Sequence, residues 1–172
     1  MTNTWQCKLS SLLQNLPDPV GRPLRISLIG IGNELGGDDA AGVIFIRRLQ
    51  AEVPRSATLQ MIEAGAAPEN FTGAARHFRP DLILLVDAAD FGAEAGEIAL
   101  LDWRDATGFS ASTHSLPLHI LAAYLAAELN CPVHLVGVQP LSLEFNAPLN
   151  ASVDRAVQEL VAEFKALLTR QG

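Results

Sequence analysis

The chain has 172 residues, enough for one domain with a full core, and 49% hydrophobic against 18% charged residues excludes a disordered or low-complexity protein. Twelve Lys and Arg against 19 Asp and Glu give a formal charge of −7, which opposes a phosphate backbone or an anionic membrane and so argues against nucleic acid as a partner. No run approaches the ~18 apolar residues of a membrane span, and the N-terminus lacks the basic start and long apolar run of a signal peptide; no membrane insertion and a cytoplasmic location are expected.

Residues 1–24 carry Pro17, Pro19, Gly21 and Pro23 in their second half, a density of breakers that predicts a tail or linker ahead of a single domain over 25–172. Leu9, Leu12, Leu13 and Leu16 could form one short amphipathic turn packed on that domain. Regular alternation then begins. Ile26 to Ile31 reads as a strand, the Gly/Asp-rich stretch to Gly42 as a loop, and Val43, Ile44, Phe45, Ile46 and Leu49 as a helical face. The unit recurs with Leu59 to Ile62 as strand, Gly65 to Pro68 as loop and Glu69 to Phe78 as a short helix ending before Pro80. Leu82 to Val86 is unbroken apolar sequence, the composition of a strand buried on both faces of a parallel sheet, and it ends at Asp87. Ile98 to Leu101 follows Gly96 as an edge or antiparallel strand. Leu116 to Leu129 reads as a helix with Pro117 in its first turn, and Val133 to Val138 as a strand. The last helix aligns Val153, Val157, Leu160, Val161, Phe164, Leu167 and Leu168 on one face, capped by Asn150 or Ser152. The expected fold is a three-layer α/β/α sandwich with a mostly parallel sheet of about five strands. In such folds ligands bind beyond the carboxyl ends of the strands, so the loops directly after each strand hold the chemistry.

The first such loop runs from Gly30 to Gly42 and fails as a nucleotide site. A dinucleotide fingerprint starting at Gly30 needs glycine where Leu35 stands, and no lysine follows Gly36 or Gly37. Asp38 and Asp39 occupy the turn that opens the helix, where they repel phosphate and attract a cation. One of them can cap the helix, but a cap does not explain two carboxylates. Asp87 leaves the most buried strand, where an isolated carboxylate is costly and calls for a metal or a hydrogen-bond donor; Asp90 lies further into the loop and is the weaker candidate. His114, in the polar turn from Ser112 to Leu118, adds an imidazole. With two aspartates it offers the N/O ligand set of a divalent transition metal with open positions. His77 and His134 read as structural, and His119 as a weak supporting candidate. There is no GxSxG elbow and no HExxH helix, Ser112 and Ser115 lack a third triad member, and Cys7 and Cys131 form no CxxC pair. Nucleophilic catalysis is not supported.

The run IGIGNELGGDDAAG, then EAGAAPEN (63–70), LILLVDAADFGAEAGEI (82–98), STHSLPL (112–118) and LVGVQP (135–140) resemble, in order, the maturation endopeptidases of [NiFe]-hydrogenases. The resemblance runs from about Ile26 to the final helix and is closest to the branch serving hydrogenase 3-type, formate-hydrogenlyase enzymes. It implies a three-layer α/β protease that removes a C-terminal extension from the hydrogenase large-subunit precursor once nickel is inserted. It also implies three metal-contacting residues, Asp39, Asp87 and His114, that recognise nickel contributed by the precursor, with no firmly bound metal of the protein's own. The family usually has glycine directly after the acid pair, where this chain has Ala40; alanine is strained there if φ is positive and favoured if the helix starts there. Other branches place glutamate at Asp39, which alters geometry more than role.

The sequence thus predicts a monomeric hydrolase in which Asp39, Asp87 and His114 contact the precursor's nickel and water cleaves the peptide bond, activated by the metal or by a carboxylate. Two other readings share these residues. One is a non-enzymatic nickel-dependent assembly chaperone. The other is a peptidyl-tRNA-hydrolase-like esterase, which a charge of −7 disfavours and a basic cleft would favour.

Overall fold

The computed structural model describes residues 4–105 and 116–170. Within them are strands β1 (Ile26–Ile31), β2 (Leu59–Gly65), β3 (Leu82–Ala88), β4 (Ile98–Asp102) and β5 (Val133–Val138), and helices α1 (Trp5–Gln14), α2 (Ala41–Glu52), α3 (Thr72–Phe78), α4 (Leu118–Leu129) and α5 (Ala151–Arg170). The strands make one sheet in the order β2-β1-β3-β5-β4. All pairings are parallel except that of β4 with β5, so the expected antiparallel edge strand is present. Alternation along β3 decides which helix each side chain meets. Leu82, Leu84 and Val86 pack in the layer of α1, α2 and α5, and Ile83 and Leu85 in the layer of α3 and α4. Phe45 of α2 and Phe164 of α5 meet edge to face, centroids 5.3 Å apart, at the centre of the first layer.

The close seating of α2 depends on glycine. A Cβ on Gly42 would stand 2.0 Å from the Val86 carbonyl oxygen and 2.4 Å from that of Ile31, and one on Gly30 would stand 2.2 Å from the Gly42 oxygen. The first turn of α2 therefore lies directly on the carboxyl ends of β1 and β3, a distance no other residue permits. Ala40 sits at φ −74° in the 3₁₀ turn Gly37–Ala40 that leads into α2. The alanine is thus accommodated in a helical conformation, and the positive φ values of the loop fall on Gly32 and Gly37 instead.

Three boundaries differ from expectation. Strand β3 continues through Asp87 to Ala88, because Asp87 pairs with Gly137 of β5; the aspartate belongs to the strand rather than to the turn after it. Pro117 does not sit inside α4 but caps it, with an extended ψ of 134°. Leu116 cannot join the helix either, since the residue before a proline is pushed out of the helical region. The segment read as a helix over 69–78 is a 3₁₀ turn, Pro68–Phe71, followed by α3. Of the two expected caps of α5, Asn150 is the one that serves, its Oδ1 accepting the Ser152 N–H at 2.9 Å.

The largest difference is at the N-terminus. The first part of the predicted tail forms α1, whose Leu9 is fully buried and whose Trp5 donates its indole N–H to Glu159 of α5 at 3.0 Å. Leu12, Leu13 and Leu16 pack against the same core. The prolines and glycine mark the connection to β1, not a lack of structure before it. Replacing Leu9 by alanine should lower stability by about 2–4 kcal/mol in urea denaturation, as for a buried leucine elsewhere; a loss below about 0.5 kcal/mol would return α1 to a surface appendage.

Candidate functional site

The strand order places β2 on one side of β1 and β3 on the other, so the chain reverses direction across the sheet between β1 and β3. That switch point opens a crevice at their carboxyl ends, the usual ligand site of such sheets. Asp39 lies in the turn after β1 and Asp87 at the end of β3, one from each side of it. The 3₁₀ turn carrying Asp39 packs against β3.

The loop after β1 is folded by its own polar groups. Asn33 makes an Asx turn, its Oδ1 accepting the Leu35 N–H at 3.0 Å and its carbonyl the Gly36 N–H at 2.9 Å. The 3₁₀ turn then sends the two acids to different places. Asp38 accepts three backbone N–H groups, from Leu141 (2.8 Å) and Ser142 (3.0 Å) on Oδ2 and from Asn150 (2.6 Å) on Oδ1. It is a clamp on the β5–α5 connection, and its own N–H donates to the Ser142 carbonyl at 3.0 Å. Asp39 folds back on its loop, Oδ2 accepting the Asn33 N–H at 3.0 Å. Asp87 is completely buried, in the alternation series of Ile83 and Leu85, and so on the face covered by α3 and α4. Thus the two acids that are adjacent in sequence do different work, one fastening the β5–α5 connection and the other closing its own loop.

His114 lies outside the described residues, as do Ser112 and Ser115. Among the described residues no group of three or more His, Cys, Asp and Glu is placed to hold a metal ion. The remaining histidines stand elsewhere. His77 is exposed on α3. His134 lies opposite Asp102 of β4, half-buried, and burial holds its imidazole below the ordinary pKa. His119 is partly buried in the first turn of α4. Asp90 is exposed and structural, its Oδ1 accepting the Gly92 N–H at 3.2 Å and the Gln139 side-chain N–H at 3.1 Å.

Two residues at this edge escaped the sequence reading. Gln139 is buried just after β5 and its Oε1 accepts the N–H groups of Phe91 (2.9 Å) and Ala93 (3.2 Å), stitching the β3–β4 loop to the end of β5. The only signal for it is a polar side chain between an apolar strand and Pro140. Glu69, in the 3₁₀ turn after β2, is partly buried with its Oε2 shielded from solvent; in the sequence it is indistinguishable from a first-turn helix acid.

The charge of the edge is one-sided. The connections after β1, β2, β3 and β5, residues 32–40, 66–71, 89–97 and 139–150, carry three, one, three and one carboxylates and no Lys or Arg. A basic cleft for tRNA is therefore not formed by these loops. A groove of about 510 Å³ lies at the opposite, amino edge, where four of its charged side chains are already paired as Arg22–Asp81 and Arg76–Glu128.

The model of the hydrogenase maturation protease family HycI matches residues 43–166. The chain belongs to this family. It is 36% identical to the hydrogenase 3 maturation protease of Escherichia coli over 132 residues, 76% of this chain and 83% of that one. Its fold superposes on the crystal structure of the [NiFe] hydrogenase maturation protease HycI from Thermococcus kodakarensis with a TM-score of 0.79 and 32% identity, covering 92% of this chain and 99% of that one. The hydrogenase maturating endopeptidase HybD from E. coli shares the fold at a TM-score of 0.73 and 24% identity, covering 87% and 94%. This hydrogenase maturation protease is a peptide-bond hydrolase, and the expected α/β architecture is that of its relatives. No helix among the described residues is long and apolar enough to cross a membrane.

Cysteine chemistry is remote from the crevice. Cys131 is buried at the amino end of β5, and burial pushes its thiol up to about 11. Thiol titration of the native protein near pH 8 should modify the exposed Cys7 rapidly and Cys131 only on unfolding; rapid modification of both would contradict this burial. Asp38→Asn, which turns an amide N–H₂ or a weaker acceptor toward three N–H donors, should lower stability by about 1–3 kcal/mol in chemical denaturation. An unchanged midpoint would remove the clamp.

Proposed function

We propose that the protein removes the C-terminal extension of a [NiFe]-hydrogenase large-subunit precursor after nickel insertion, reading the nickel as part of its substrate. The observation that carries this reading is the pair of buried carboxylates, Asp39 and Asp87, drawn from the two sides of the switch point in a member of this protease family. In the proposal Asp39, Asp87 and His114 contact the nickel, and no tightly bound metal belongs to the protein itself. Carboxylate and imidazole suit a divalent transition metal while leaving positions for the precursor's own ligands. Contact with nickel brings the scissile peptide to the crevice only when the precursor is loaded, so a premature cut is avoided by failure to bind. Water then hydrolyses the bond, with the substrate's metal or an adjoining carboxylate to activate it. The protein acts as a cytoplasmic monomer with the precursor as its partner.

Incubating the protein with nickel-loaded and nickel-free cognate precursor and weighing the product intact should show a discrete C-terminal loss only with nickel. Binding without any loss would instead indicate an assembly chaperone. His114→Ala and Asp87→Asn should each reduce processing by at least about 100-fold with the fold retained. Asp39→Asn should do the same, while Asp38→Asn, at a temperature where it stays folded, should cost far less. Equal losses at Asp38 and Asp39 would mean that both acids belong to the chemistry.

A further inference from the structure

Seven large hydrophobic side chains are exposed among the described residues, and four of them, Leu35, Leu141, Leu143 and Phe145, lie on the two connections that Asp38 ties together. Phe145 is 74% exposed, Leu141 65% and Leu35 51%. Free loops do not hold such side chains in place, but these loops are fastened. The Asn146 N–H donates to the Leu35 carbonyl at 2.7 Å, and Asp38 holds the amides of Leu141, Ser142 and Asn150. Asn146 is itself kept at φ 61°, a left-handed conformation that the surrounding bonds must support. An apolar rim presented by a rigid backbone beside a catalytic crevice is the form of a preorganised binding surface.

Charge selects its occupant. The connections at this edge carry eight carboxylates and no Lys or Arg. Arg47 of α2 reaches Glu34 at 2.6 Å but is shared with Glu63. A second copy of the chain would bring the same carboxylates face to face, and an anionic surface would be repelled. We propose that Leu35, Leu141, Leu143 and Phe145 dock an extended segment of the substrate in which apolar side chains alternate with Lys or Arg. The apolar groups cover the rim, and the cations meet Glu34, Glu144 and their neighbours. This rests on the reading of the protein as an endopeptidase, since the segment is the stretch of precursor beside the scissile bond.

Three short fluorescent peptides test it by anisotropy, one of alternating Leu and Arg, one with Gln for Arg, and one with Ala for Leu. The Leu/Arg peptide should bind at least about ten-fold more tightly than either of the others and weaken steeply between about 50 mM and about 500 mM NaCl. Leu141→Ser combined with Phe145→Ser should abolish that preference with an unchanged melting temperature, and should raise KM for nickel-loaded precursor about ten-fold with kcat retained. Equal binding of the three peptides overturns the proposal, as does an unchanged KM in the double variant. So does a concentration-dependent dimer that the double variant loses. Peptide binding needs neither nickel nor cleavage. Wild-type protein that binds the Leu/Arg peptide yet never processes precursor refutes the endopeptidase reading; processing with an unaltered KM in the double variant refutes only the docking surface.

Discussion

The join between the loops after β1 and β5 depends on one buried carboxylate. Asp38 takes three backbone N–H groups from a connection more than a hundred residues later in the chain, and a carboxylate is the group suited to this because it accepts on both oxygens and donates nothing. The loops after β1 and β5 thereby become one body. Asp39, the next residue, inherits a fixed position from its neighbour. The two acids divide the work of the loop, Asp38 tying it to the β5–α5 connection and Asp39 closing it on the Asn33 N–H.

The second constraint is steric. Gly42 and Gly30 let α2 begin in contact with the carboxyl ends of β1 and β3, which carries the 3₁₀ turn and Asp39 to the switch point. One helical residue at this contact larger than glycine would lift α2 and the turn together. The glycines and the clamp act on the same short segment from opposite ends, so the site is set by the packing of the domain rather than by a mobile loop.

The fold was legible because its signals were periodic. Uniform apolar runs such as Leu82 to Val86 announce buried parallel strands, and the heptad-like face of α5 announces its own burial. The candidate acids were legible for a related reason, since Asp87 follows such a run and Asp38 and Asp39 crowd a glycine-rich turn. What the sequence could not show was partnership across long separations. The role of Asp38 depends on Leu141, Ser142 and Asn150, and that of Gln139 on Phe91 and Ala93, and none of these pairs leaves a local pattern. The N-terminal helix was obscured for the same reason. Its apolar stripe is ordinary, its breakers are close, and its stabilising partners are Glu159 and the core on the far side of the chain. Where Pro117 and Ala40 sit was decided by backbone angles at single residues, which a window of hydropathy does not resolve.

The docking of α1 also orders events during synthesis. Trp5 and Gln6 are made long before Glu159 of α5, to which both donate hydrogen bonds across more than 150 residues of sequence, and Leu9 is buried in the same core cluster as Phe164 of that helix. Until α5 emerges, the apolar stripe of α1 has no final seat. The domain therefore completes this layer of its core only once α5 has been made, so its folding waits on contacts of large sequence separation.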